Sequence, residues 1–233
     1  MIIEAWHPVT HDLGLIESPA ERAIEVFVQW QESLGKTCSI RTATSLEGAL
    51  EMLPPLSAEK RRCVFIPTKS SWTGFFQSGV AGSDPFPAMS ELSRRLQTRG
   101  MRVCSTRTNA KYPATIWELY APEKLGGSPP LLYRRSICVA NDGGRWRFDQ
   151  SGEPFPFEDT SRYVRPRKRD RFDREILAEY LAHFDLDPFN DDFYVASLET
   201  PAFVVERLSG WEKRPPEFTL AQVVAGEPWE KRA

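Results

Sequence analysis

The chain has 233 residues, 41% of them hydrophobic and 27% charged, with a formal net charge of −2. This composition lies outside the regime of disorder, and the length suffices for a substantial buried core. The near-neutral balance excludes a strong overall positive field, so any polyanion binding has to be local.

MIIEAWHPVTHD turns polar too soon for a secretory signal, and no apolar run approaches membrane-spanning length, so a cytoplasmic protein with no membrane partner is expected. His7 and His11 stand at the i, i+4 spacing of paired metal ligands. Pro8 and the β-branched residues between them argue against a helix there, and no metal site is assigned. SPAERAIEVFVQWQESLG predicts an amphipathic helix over residues 18–35, with Ser18 as N-cap, Glu21 closing a capping box, Pro19 at the first helical position and Gly35 as the stop. Its Phe27 and Trp30 read as core. TCSIRTA predicts a strand, and SLEGALEMLPP a short helix capped by Ser45 and ended by Pro54.

RRCVFIPT and SWTGFFQSG predict strands that pair as a hairpin. A polar loop at 78–85 leads into the helix PAMSELSRRLQTRG, with Ser83 or Asp84 as its cap and Gly100 as its end. The pattern is then β: MRVCSTRT, ATIWELYAP, LLYRRSICVAND, GRWRFDQ and a short PFPFE run. KLGGSPP, residues 124–130, reads as a loose connection. NDGG at 141–144 is the strongest hairpin signal, because asparagine, aspartate and glycine tolerate the positive φ of a tight primed turn. DREILAEYLAHF predicts a helix capped by Asp173. Strands are expected at 192–198 and in PAFVVERL, and the last ~20 residues read as less ordered, with FTLAQVVAG as a docked helix. These elements give an α+β fold in a single domain over residues 1–233, with a mostly antiparallel sheet and helices packed on one side.

The four cysteines, Cys38, Cys63, Cys104 and Cys138, sit in β-like stretches without metal-ligand spacing and are expected buried and reduced. There is no GxSxG elbow, and SGVAGSDP lacks a P-loop lysine. DLDPFNDD lacks the glycine and the closing glutamate of an EF-hand and reads as an acidic turn. No catalytic residue and no cofactor is assigned.

RYVRPRKRDRF, residues 162–172, holds five arginines and a lysine, with an aromatic near each end. One reading makes it an internal brace, with Tyr163 and Phe172 as anchors and the arginines paired with Glu153, Glu158, Asp159 and the acids of 185–192. The others make it a surface for an acidic protein or for nucleic acid. Alternation in RWRFDQ puts Trp146 and Phe148 on one side and Arg145 and Arg147 on the other. The succession VFIPT, SSWTGFF, YPATIWELYAP, RSICVANDGGRWRF and SGEPFPFE, over roughly residues 60–195, resembles a pattern of uncharacterised bacterial proteins. In size and character the chain is similar to bacterial toxin-immunity proteins. The resemblance implies a protein that occludes a cognate protein partner.

The expected contact residues are Trp72, Ser83, Asp84, Asp142, Arg145, Arg147, Arg165, Arg167, Lys168 and Arg169. A nucleic-acid-associated protein using 162–171 is the alternative. A third reading is an enzyme with a site assembled from dispersed residues around His7, His11 and the aspartates Asp185, Asp187, Asp191 and Asp192.

Overall fold

The structure is a computed structural model and describes residues 1–122, 133–209 and 215–230. Its centre is a nine-stranded sheet. The strands are β1 (Asp12–Ile16), β2 (Cys38–Ala43), β3 (Arg62–Pro67), β4 (Thr73–Gln77), β5 (Gly100–Ser105), β6 (Ala114–Tyr120), β7 (Arg135–Asp142), β8 (Arg145–Ser151) and β9 (Ala202–Arg207). They lie in the order β2-β9-β3-β4-β1-β5-β6-β7-β8, and each neighbouring pair is antiparallel. The helices are α1 (Ile2–Ala5), α2 (Ala20–Ser33), α3 (Leu46–Glu51), α4 (Phe86–Leu96), α5 (Arg174–Ala182), α6 (Leu220–Val224) and α7 (Glu227–Glu230). The α+β class and the antiparallel sheet are as the sequence predicts. Among the described residues no helix is long and apolar enough to cross a membrane.

The sheet is apolar on both faces, and side-chain alternation feeds two cores. Phe65, Phe75 and Val205 pack with Ile24 and Phe27 of α2 and with Met89 and Leu92 of α4. Val64, Ile66, Phe76, Val103 and Trp117 pack on the opposite face with Leu50 of α3 and with Ile176, Leu177 and Leu181 of α5. The helices expected on one side therefore flank the sheet on both. Gly14 permits this closeness on the first face, because a Cβ there would lie 2.7 Å from Met89 Sδ.

Local chemistry explains where the elements begin and end. Ser45 accepts the Gly48 N–H at 3.1 Å, and Asp173 accepts the Ile176 N–H at 3.0 Å, so both act as the expected N-caps. Gly35 stops α2 at φ +72°. The start of α2 departs from expectation: Pro19 occupies the cap position without a side-chain bond, and Ser18 Oγ turns to the Pro19 carbonyl instead. Likewise α4 has Pro85 at its cap rather than Ser83 or Asp84, and it ends at Gln97 in the left-handed region (φ +53°) rather than at Gly100, which begins β5. Residues 192–198 make an isolated bridge from Tyr194 to Thr68 instead of a strand, and the PFPFE run is a turn. The expected docked helix near the tail is α6, capped by a Thr219/Gln222 box. KLGGSPP and the extreme tail lie outside the described residues.

The register gathers several chain turns at one end of the sheet. Asp12 pairs with Cys104, Ala114 with Ala140 and Asp142 with Arg145, and β4 ends there at Gln77. The loops 78–85 and 106–113 and the 143–144 turn therefore share that end. The first of them leaves the sheet at Gln77 of β4, which is separated from β8 by β1, β5, β6 and β7, about 24 Å at ordinary strand spacing.

Candidate interaction surface

At this end the β7–β8 hairpin is built as its sequence dictates. Gly143 and Gly144 have φ +67° and +96°, and Asn141 Oδ1 accepts the Gly144 N–H at 2.7 Å. The turn exposes Asp142 and Arg145. Trp146 and Phe148 turn inward as expected, and Phe148 packs against Tyr163 with ring centroids 5.5 Å apart. Arg145, Arg147 and Asp149 face solvent on the opposite side of β8. Arg147 stands 3.7 Å from Asp142 with both side chains 71% exposed, a pair that water screens almost completely.

The 162–172 segment crosses the inward side of β7 and β8, anchored by its aromatics. Tyr163 and Phe172 are buried, and the Tyr163 hydroxyl donates to Glu158 at 2.6 Å. Glu158 also takes Arg135 in an ion pair of 2.6 Å that excludes solvent. Arg135 in turn donates to Gln150 Oε1 and to the carbonyls of Ser151 and Gly152. This node pins the segment to the sheet, and burial of the Tyr163 hydroxyl pushes its pKa up.

Between the anchors the arginines order their own backbone. Arg165 Nη1 donates to the Asp170 carbonyl at 3.1 Å, and Arg171 Nε donates to the Arg165 carbonyl at 2.7 Å. Arg162 takes Asp159 at 3.1 Å and Glu179 at 3.8 Å, and Arg169 lies 3.4 Å from Asp170. The brace expectation holds for the anchors and for Arg162. It does not hold for Arg165, Arg167 and Lys168, which are exposed and form no ion pair among the described residues; Glu158, one of the acids expected to pair with this run, is taken by Arg135. Among the described residues Arg145, exposed at the hairpin turn, likewise forms no ion pair.

An open cavity of about 490 Å³ lies beside this turn, between residues 105–115 and 169–174. Arg107, Arg169, Arg174, Trp146 and Phe172 line it together with Asp170 and Asp173. Arg107 and Arg174 are members of this corner that sequence reasoning missed. Arg107 is fixed by the Glu4 carbonyl at 2.8 Å and Arg174 by the Glu4 carboxylate at 2.8 Å. No local motif marks them, because the N-terminal segment that positions both is distant in sequence.

The remaining expected contacts divide. Trp72 is 3% exposed, next to the start of β4 at the opposite end of the sheet, under the Arg99 guanidinium and against Phe184. Ser83 is fully buried, accepting the Gln77 N–H and donating to the Val9 carbonyl, both at 2.9 Å. Neither side chain is available to a partner, and both belong to the scaffold. Asp84 is exposed at φ +44°, binds Lys60 at 2.7 Å and approaches Arg102 of β5 to 3.9 Å on the α4 side of the sheet, away from the arginine corner.

Asp84 borders a second charged group that no local motif announced. Arg102 binds Asp12 through two bonds of 2.9 and 2.8 Å, with Glu118 at 3.8 Å and Asp84 at 3.9 Å. Glu118 accepts the Tyr120 hydroxyl at 2.5 Å, and burial raises its pKa. The cluster joins β1, β5 and β6 on the α4 side of the sheet.

Of the dispersed residues of the enzymatic reading, His7, His11, Asp187 and Asp191 make contacts within the fold. The His7 and His11 rings meet edge to face at 5.6 Å, and His7 Nε2 lies 3.5 Å from Glu4. Burial lowers the pKa of both rings, to about 4 for His7. Asp191 accepts the Ile2 and Ile3 N–H groups at the start of α1, and Asp187 accepts the Asn190 amide. Among the described residues, no group of three or more His, Cys, Asp or Glu side chains is arranged to hold a metal ion. All four cysteines are free thiols, Cys63 and Cys104 buried, Cys38 and Cys138 half-buried.

Comparison with protein-family models, with curated proteins and with solved structures finds no match.

Proposed function

We propose that the chain is a protein-binding protein that uses the arginine corner to cover an acidic face of a partner, in the manner of an immunity protein that occludes its target. One observation carries this reading. Arg145, Arg165, Arg167 and Lys168 stand exposed on an ordered backbone, and none of them forms an ion pair among the described residues. A backbone that is already ordered leaves only side-chain freedom to be lost on binding, and arginine beside aromatic side chains is the composition of interaction hot spots. Trp146, half-buried in the wall of the adjoining cavity, supplies that apolar component.

The test is a pull-down from a bacterial lysate with the tagged chain and with an Arg167→Glu/Lys168→Glu variant, with nuclease present and stepped salt elution. A stoichiometric protein with an acidic surface, retained by the natural chain and lost by the variant, is the expected result. Nucleic acid released at modest salt, with no protein partner, overturns it in favour of a nucleic-acid role.

A further inference from the structure

The β7–β8 turn has two residues, so its flanking pair, Asp142 and Arg145, is of the hydrogen-bonded kind. Pairs alternate in an antiparallel ladder, so Arg145, Arg147 and Asp149 direct their main-chain groups at β7, and Trp146, Phe148 and Gln150 direct theirs away. The Gln150 N–H agrees: it is held by its neighbour's carboxylate, Asp149 Oδ1, at 3.0 Å. β8 is the last strand of the sheet, and among the described residues nothing bonds to the outward N–H and C=O of Trp146 and Phe148.

The two sides of this edge differ in chemistry. Arg145 and Arg147 line the solvent side, with Asp149 beyond them at the end of the strand. The half-buried rings of Trp146 and Phe148 line the other, with the Arg171 guanidinium 5.3 Å from the Phe148 ring centroid and Arg169 beside Trp146 in the cavity wall. Charge on an edge strand repels other edges. A row of guanidinium groups next to unpaired main-chain groups also selects a strand of opposite charge.

We propose that the β8 edge takes up an extended acidic segment of the partner as a tenth strand, one that alternates carboxylate and apolar residues. Its carboxylates face Arg145 and Arg147, and its apolar side chains lie beside Trp146 and Phe148. A second copy of this chain is a poorer occupant, because it brings its own 165–171 arginines against this set. The inference rests on the acidic-partner reading above and specifies how the partner is held.

The experiment uses the full ¹⁵N-labelled chain and two capped octapeptides of alternating glutamate and valine. One peptide is unmodified; the other is N-methylated at the amides that would face β8. The unmodified peptide is expected to slow hydrogen exchange at the Trp146 and Phe148 amides, and the methylated peptide to bind at least about tenfold more weakly. Equal binding of both without amide protection overturns strand addition while leaving an acid-binding corner intact. No binding of either overturns it as well, as does protection of these amides without peptide in a chain that sediments as a dimer. Amide protection by the peptide, together with a lysate partner that the Arg167→Glu/Lys168→Glu variant still retains, upholds the edge and removes the arginine corner as the contact surface.

Discussion

Arg135 of β7 and Glu158 of the following turn form an ion pair at 2.6 Å with both side chains fully enclosed. A buried pair of this kind adds little net stability over an apolar substitute, but removing one partner strands the other. Arg135→Met is therefore expected to cost about 3–5 kcal/mol in urea unfolding, and Arg135→Met/Glu158→Met to recover a large part of the loss. A single-variant cost under about 1 kcal/mol would show that the pair is hydrated in solution.

Gly152 follows β8 at φ +79°, and a Cβ there would sit 2.2 Å from the Arg134 carbonyl oxygen. Gly143, at φ +67°, has open space around it. Gly152→Ala is expected to destabilise by about 2 kcal/mol or more, and Gly143→Ala by about 1 kcal/mol. Equal thermal shifts in the two variants would contradict the close approach at 152.

His7 gives the stability a pH dependence with a definite sign. Burial holds its folded pKa at about 4, below the ordinary 6.5; Glu4 opposes the shift, and His11, Arg107 and Arg174 reinforce it. The unfolded chain therefore takes up a proton that the folded chain refuses. Stability is full above pH 6.5 and declines as the pH falls towards 4, by up to about 3 kcal/mol from this group. Denaturation midpoints at pH 7 and 4.5 should converge in His7→Gln, and an unchanged slope in that variant would assign the dependence elsewhere.

Scaffold and surface should separate on substitution. Trp72→Ala is expected to lose about 3–5 kcal/mol through the cavity it leaves. Arg167→Glu/Lys168→Glu should stay within about 1 kcal/mol of the natural chain, since both side chains are exposed. Thermal unfolding of the two variants side by side checks this, and a large loss in the second would mean that the arginines brace the fold.

The cysteines offer a test of the α4 side of the sheet. Burial raises the thiol pKa at all four, and Cys63 and Cys104 are enclosed between sheet and helices. A thiol reagent at pH 8 should label Cys38 and Cys138 in the folded chain, and Cys63 and Cys104 only in denaturant. Early labelling of Cys104 would show that the α4 side of the sheet opens.

The legible parts of the sequence were those decided over a few residues. The Asp142–Arg145 turn, the caps Ser45 and Asp173, and the opposed sides of Trp146 and Arg147 all follow from local pattern. Position in the sheet is a long-range property, so β9 is read as a strand without its place between β2 and β3 being visible. Trp72 and Ser83 misled for a related reason, because an aromatic beside a small-residue loop looks the same whether the loop faces water or covers a core. The Asp12–Arg102–Glu118 cluster draws on β1, β5 and β6, and no periodicity of one segment reveals it.

The insertion of β9 also sets an order of events during synthesis. Among the described residues β2 is joined to the sheet only through residues 202–207, which leave the ribosome after the other eight strands. Until they arrive, β2 lacks its partner and β3 offers a bare flank, so the nascent chain holds two sticky strands in waiting. The finished edge at β8 has its arginines; the temporary one at β3 has the apolar run Cys63–Ile66. Aggregation during expression is therefore governed by how quickly the last part of the chain follows, a cost of long-range pairing that the completed protein no longer displays.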